Sequence, residues 1–170
     1  MKFRIANLTS STIDGIGISL VVFFQGCFHN CIGCQNPSLQ DPNNGYDYDT
    51  KDILYELHSN TDFYDSLVLT GGDPLVQPKP LYTLLVNTTL PVILYTGYLF
   101  EHIPKDVTSL CSIVIDGPFK QDLHVAGFPA SSNQRVFFNT GRLSEKQIKD
   151  FITSHNITSE PHFYENSANF

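Results

Sequence analysis

At 170 residues the chain has the length of one domain and enough material to bury roughly 70% of the surface its unfolded form exposes. Hydrophobic residues make up 41% and charged residues 16%, which excludes a disordered chain and suits a globular protein whose surface is partly covered by a partner. Seventeen acidic against ten basic residues, a net charge of −7, is the wrong sign for wrapping nucleic acid or lying on an anionic membrane leaflet, and no apolar run approaches the ~20 residues of a membrane span.

Residues 2 to 17 alternate poorly and end in Ile13, Asp14, Gly15, Ile16, Gly17, which predicts a turn leading into a sheet. Ile18 to Phe24 is a run of apolar and β-branched residues, a buried strand that delivers Gly26 at its carboxyl end. After a polar link from Pro37 to Tyr48, Asp49 is placed to cap a helix with Ile53, Leu54 and Leu57 on one side. Ser66 to Thr70 is a strand stopped by Gly71, Gly72, Asp73, Pro74, and a helix follows with Pro80 near its start and Leu81, Leu84 and Leu85 on one face. Pro91 to Tyr95 is the next strand; Leu99 to Leu110 is helical in short pieces because Pro104 interrupts it; Cys111 to Ile115 is a fourth strand. Residues 118 to 134 read as loop and Gln134 to Asn139 as a last strand. Ser144 with Gln147 forms a capping box for a helix whose Ile148, Phe151, Ile152 and His155 share a stripe, expected to cover the chain's own sheet rather than a partner. The tail from Asn156 to Phe170 is polar and expected to fray at its end. Strands alternating with helices imply parallel βαβ units, hence an α/β domain. Four units are too few for a closed eight-stranded barrel.

Three of the four cysteines, Cys27, Cys31 and Cys34, fall within eight residues of one loop, at the strand end where ligands bind in such sheets. Thiolates are soft ligands for iron-sulfur clusters, zinc and copper(I). Three ligands leave one iron of a four-iron cubane open to a substrate, whereas a structural zinc site is closed by four. A zinc site completed by His29 or Cys111, or unliganded thiols, are the alternatives at this point. Cys111 lies beside Ile113, Val114 and Ile115 and reads as a small buried hydrophobe. Cysteines gathered in this way, rather than as a disulfide framework, point to a reducing cytoplasm.

The cysteine spacing resembles that of the radical S-adenosylmethionine enzymes, and more closely the anaerobic ribonucleotide reductase activating proteins, whose loop reads Gly-Cys-x-His-x-Cys-x-Gly-Cys, then an aromatic residue and Asn. His29, Gly33 and Asn36 match; Gln35 stands where the family has Tyr or Phe. Residues 71 to 75 repeat the family's Gly-Gly-Asp-Pro-Leu. Tyr95 to Tyr98, Val114 to Gly117 with Gln121, Asp122 and Leu123, and Ser131 to Gln134 are similar as well, so the likeness spans most of residues 13 to 135. Pro129 and Ala130 depart from the Arg-Gly that often precedes Ser131, which puts an anion contact there in doubt.

The resemblance implies a small, partial (open) β/α barrel with parallel strands and helices on the outer face, one domain over 1–170 with its core at about 13–140 and a C-terminal helix and tail over 141–170. It implies a [4Fe-4S] cluster held by Cys27, Cys31 and Cys34, with S-adenosylmethionine chelating the fourth iron through its amino and carboxylate groups. Gly71, Gly72 and Asp73 are expected to receive the methionine amino group, Gly33, Cys34 and Gln35 to lie beside the adenine, and Thr96 and Asp116 to reach the sugar or carboxylate; strand-end capping is the plainer reading of the last two. His29 is expected to orient the loop by a hydrogen bond. The implied reaction is one-electron cleavage of S-adenosylmethionine to methionine and a 5′-deoxyadenosyl radical that removes a hydrogen from a glycine of anaerobic ribonucleotide reductase, with a reductant such as flavodoxin. Activation of another glycyl radical enzyme of the pyruvate formate-lyase type, or a zinc-stabilised interaction module, are the rivals.

Overall fold

The computed structural model describes residues 1–165. Among these residues eight strands form one sheet: β1 (Lys2–Ser11), β2 (Ser19–Phe24), β3 (Tyr46–Asp49), β4 (Ser66–Gly71), β5 (Val92–Tyr95), β6 (Ile113–Asp116), β7 (Arg135–Asn139) and β8 (His162–Tyr164). Their order is β3-β1-β2-β4-β5-β6-β7-β8. The centre is the expected parallel set, with β2, β4, β5 and β6 running together. The flanks depart from it, since β1 is antiparallel to both β2 and β3, and β7 is antiparallel to β6.

Two strands at the amino end and one near the carboxyl end escape the sequence reading, each for a reason. In β1 the pairing with β2 shifts register between Ile5 and Asn7, so the alternation set by Phe3 and Ile5 changes parity before Leu8. β3 is a four-residue edge strand of Tyr and Asp, with both tyrosines at least partly exposed. β8 sits in the polar tail to which no element is assigned from sequence, paired in parallel with β7; the fraying expected at the end of that tail falls on residues 166–170, outside the described residues.

Among the described residues four α-helices accompany the sheet. α1 (Thr50–Ser59) starts at Asp49, whose side chain accepts from the Lys51 N–H, and buries Ile53 and Leu57. α2 (Pro78–Asn87) buries Leu81, Leu84 and Leu85, each worth about 1.5–3 kcal/mol of transfer free energy. Pro104 divides its segment as expected, with a 3-10 turn at Phe100–His102 before it and α3 (Lys105–Leu110) after it. α4 (Glu145–Ser154) carries the complete capping box of Ser144 and Gln147. None of the described helices is long and apolar enough to cross a membrane.

Strand alternation sorts the core into two layers. Leu20, Val22, Leu67, Leu69, Val92, Leu94 and Val114 face α1, α2 and α3. Val21, Val68, Ile93, Ile113, Ile115 and Phe138 face the other way, where Leu143, Ile148, Phe151 and Ile157 cover them. α4 therefore packs on the chain's own sheet, but on the face opposite the other three helices.

Candidate active site

The site begins where β2 stops. The Gly26 N–H donates to the Leu39 carbonyl at 2.8 Å, the Cys27 N–H to the Gln40 carbonyl at 3.1 Å and the Asp73 N–H to the Gly26 carbonyl at 2.8 Å, so the base of the cysteine loop is clamped between residues 37–40 and the end of β4. The buried Gln25 side chain braces the junction by donating to the carbonyls of Ser38 and Asp41, at 3.0 and 2.7 Å. Gln77 donates to the carbonyls of Arg4 and Gln25, at 2.7 and 2.9 Å. Sequence reasoning singles out neither glutamine; the one signal is an amide at the end of an apolar run.

Beyond that base the loop turns through left-handed conformations at Asn30 and Gly33, and the Cys34 N–H donates to the Cys31 carbonyl at 3.2 Å. Cys27, Cys31 and Cys34 are all half-buried and line one cavity of about 530 Å³. Burial pushes the Cys27 thiol up, against the His29 N–H that lowers it. Among the described residues no three His, Cys, Asp or Glu side chains are gathered to hold a single metal ion; the thiols stand around a cavity rather than around a point. Cys111 is far from them in role and place. It is fully buried in the layer under α3, its thiol is pushed up to about 12 by burial, and it does not line the cavity, so it completes no site with the other three.

The floor of the cavity continues the α4 face of the sheet. Thr70, Tyr95 and Ile115, one alternation beyond Val68, Ile93 and Ile113, line it together with Gly71, Gly72 and Thr96. Gln35 lines it from the cysteine loop, and residues 117–119, 124–130 and Gln134 close its far side. This second loop is pinned at its neck: the Val125 N–H donates to the Ala130 carbonyl at 3.0 Å, the Ser132 N–H to Leu123 at 2.9 Å and Asn133 Nδ2 to Pro118 at 2.8 Å. Phe128 at its tip meets Tyr95 and Phe151 edge-on, at ring separations of 6.0 and 6.1 Å, so α4 supports the cavity from below. The Gln121 side chain lies over Gly33, whose φ of +72° is in the left-handed region that favours glycine.

The structure thus brings Cys27, Cys31, Cys34, Gln35, Gly71, Gly72 and Thr96 together; Gly33, also expected beside the ligand, is not among the lining residues, and two carboxylates expected to reach the ligand are set apart. Asp73 has no exposed surface and accepts from His29 Nε2 at 2.7 Å, Thr96 Oγ1 at 2.9 Å, the Gly97 N–H at 2.9 Å and the Leu75 N–H at 3.0 Å. Asp116 is equally buried; it accepts from the Phe100 N–H at 2.7 Å and pairs with Arg135, which also bridges to Glu101 at 2.9 Å. Strand-end capping, the plainer reading of Asp116, is what its side chain does. The Thr96 hydroxyl is spent on Asp73 and on the Tyr98 N–H at 3.1 Å. Gly72 lines the cavity as expected, and it has a second task, because a side chain there meets the carbonyls of Gly26 and Leu39. Its bareness admits the chain's own loop base, and a Gly72→Val substitution displaces the cysteine loop as well as crowding the cavity. His29 makes the loop-orienting hydrogen bond expected of it.

Comparison with known proteins bears on what this cavity is for. A family model described as a 4Fe-4S single cluster domain matches residues 13–137. The anaerobic ribonucleoside-triphosphate reductase-activating protein of Enterobacteria phage T4 is 34% identical over 139 residues, covering 75% of this chain and 88% of that one. The protein of the same name from Escherichia coli (strain K12) is 30% identical over 141 residues, covering 73% and 90%. A pyruvate formate-lyase-activating enzyme of Listeria monocytogenes is 34% identical over 73 residues, covering 41% of this chain and 29% of that one. Matches that run through most of both chains, with a family model over residues 13–137 that holds the three-thiol loop and β2, β4, β5 and β6, decide the relationship: this protein belongs to the family of anaerobic ribonucleoside-triphosphate reductase-activating proteins and carries its 4Fe-4S single cluster domain.

Proposed function

We propose that this chain is a radical S-adenosylmethionine activating enzyme that installs a glycyl radical on anaerobic ribonucleotide reductase. The observation that carries the reading is the meeting of three half-buried thiols from one loop with the Gly71–Gly72 turn and the β4, β5 and β6 ends on a single cavity. The donor set fits a [4Fe-4S] cluster: three soft ligands on one side of a space, with no fourth thiol beside them. A cavity of about 530 Å³ lies within the range of roughly 300–1,000 Å³ typical of small-molecule sites.

Cys27, Cys31 and Cys34 hold the cluster. When bound, it supplies the single electron that cleaves the carbon-sulfur bond of S-adenosylmethionine, giving the 5′-deoxyadenosyl radical that takes a hydrogen from the reductase's glycine. The chain's own contribution is binding, orientation and exclusion of water. The backbone at Gly71 and Gly72 receives the amino group, Cys34 and Gln35 flank the adenine with Gly33 in the turn that carries them, and Thr96 borders the methionine end. Asp73 and Asp116 serve from behind, as supports of the strand ends. Phe119, Val125, Phe128 and Pro129 supply the apolar far wall that keeps water from the reacting centre. The sheet, with β3 and β8 at its two ends, is read as an open, partial barrel in a single domain over 1–170, which leaves a way in for a glycine-bearing segment. Net charge and cysteine usage support a cytoplasmic protein that binds neither nucleic acid nor membrane; a flavodoxin-type electron donor is what the family likeness implies.

Activation of a pyruvate formate-lyase type enzyme is the second reading; the shorter match to that group, 41% of this chain, favours the reductase. The test is to mix anaerobically reduced protein and S-adenosylmethionine with each enzyme in turn. A glycyl radical seen by electron paramagnetic resonance on the reductase alone is the expected result. A radical on the lyase alone would reassign the target, and stoichiometric zinc with no iron uptake would end the radical reading.

A further inference from the structure

Between Cys27 and Cys34 the loop has few ties to the rest of the molecule. Its base is held by backbone bonds at Gly26 and Cys27, but among the described residues the His29–Asp73 contact, at 2.7 Å, is the one side-chain hydrogen bond that leaves residues 28–33 for the body of the protein. The His29 ring also packs edge-on against Tyr98, 4.6 Å between centroids, and lies so close over Gly97 that a side chain at 97 would strike it. Asp73 is bound on its other sides by Thr96 Oγ1, the Gly97 N–H and the Leu75 N–H. A carboxylate offers about four acceptor positions, and these donors with His29 use them.

We propose that Asp73, His29 and the Thr96–Gly97 turn form a buried clasp that fixes the arc from Cys27 to Cys31 against the end of β5, and that the Asp73 side chain is a positioning residue with no contact to the ligand. The proposal rests on the reading of the cavity as the cluster and S-adenosylmethionine site, and it gives the acidic residue of the Gly-Gly-Asp turn a different task from receiving an amino group. With the clasp intact, two of the three thiols are held on a short arc anchored at its base and its middle. Without it, the arc hangs from its ends, and cluster ligands that must act together lose their fixed spacing.

The test uses anaerobically reconstituted full-length protein. Iron loss to a chelator should quicken by about tenfold in His29→Ala, the scale of one hydrogen bond to a charged group, and similarly in Gly97→Ala, whose new methyl displaces the ring. The double variant His29→Ala/Asp73→Asn should lose iron within about twofold of the faster single variant, because both act through one contact. His29→Gln, whose amide reaches the same carboxylate, should recover much of the retention, and S-adenosylmethionine affinity in variants refilled with iron should change by less than about threefold. Hydrogen exchange in cluster-free protein gives a readout independent of the cofactors: His29→Ala should speed exchange across residues 28–33 and leave β5 unchanged. Normal iron retention in Asp73→Asn with S-adenosylmethionine binding weakened tenfold or more would make Asp73 a ligand contact and overturn the clasp. So would additive effects in the double variant, or unchanged exchange in residues 28–33. Failure of the underlying reading shows elsewhere, as unsubstituted protein that takes up no iron while the exchange result still reports on the clasp.

Discussion

On β4, Leu67 and Leu69 point to one face of the sheet and Val68 and Thr70 to the other. The first face is sealed by α1, α2 and α3, with Leu81, Leu84 and Cys111 among its fully buried residues. The second is sealed by α4 only around Val68, Ile93 and Ile113; one alternation further on, Thr70, Tyr95 and Ile115 border the cavity. Identical backbone geometry thus yields a closed layer on one side and a layer left open at the carboxyl end on the other. The difference teaches that the site depends on what stops covering the sheet, and that Phe128, between Tyr95 and Phe151, marks where packing ends and the ligand space begins.

The comparison is sharpest for the four thiols. Cys27→Ala, Cys31→Ala and Cys34→Ala should each abolish the intact cluster in iron and sulfide analysis, while Cys111→Ala keeps it. In cluster-free protein at neutral pH, alkylation followed by mass spectrometry should modify the three loop thiols and spare Cys111, which burial holds protonated up to about 12. Labelling of Cys111 in folded protein would break the distinction between the faces.

Packing substitutions come next. Leu84→Ala in the closed layer should cost about 2–5 kcal/mol of stability and leave S-adenosylmethionine affinity unchanged, whereas Phe151→Ala should cost about 3–5 kcal/mol and also weaken binding, since it removes the ring beneath Phe128. Denaturant melts and calorimetry separate the two. Equal effects of both on binding would mean that the cavity does not depend on α4.

On the open side itself, Gln35 is exposed at the cavity rim and makes no hydrogen bond to the described residues. Gln35→Tyr should therefore be tolerated, with affinity changed by at most about tenfold, the ~1.4 kcal/mol scale of one aromatic contact. A hundredfold change measured by calorimetry would show the amide to be a specific contact.

The smallest effect is expected at the β6–β7 edge. The guanidinium of Arg135 holds the Glu101 carboxyl down at about 2, from an ordinary 4.5. With the folded value depressed, the unfolded chain binds more protons as pH falls, so this contribution is fully present above about 4.5 and is lost on the way down to about 2. Glu101 is more than half exposed, so solvent screens the pair and the loss is minor. Glu101→Gln should flatten the acid limb of the melting-temperature profile in that window and leave neutral stability nearly unchanged.

The parallel centre, α1 with its Asp49 cap, α2, the division at Pro104 and the capping box of α4 were all legible in the residues, because each rests on local chemistry: apolar periodicity, a side-chain oxygen before a first turn, a ring without an N–H. So was the three-thiol loop, whose meaning lies in spacing along the chain. What local chemistry does not encode is which distant group finishes a hydrogen bond. A carboxylate after two glycines reads the same whether it faces a ligand or, as Asp73 does, His29 and the Thr96–Gly97 turn; the same is true of Asp116 and Arg135, nineteen residues apart. The parity change in β1, the pairing of β8 and the choice of the opposite face by α4 were likewise decided in three dimensions, since alternation states that a strand has two faces and leaves to tertiary packing which of them is covered and how far.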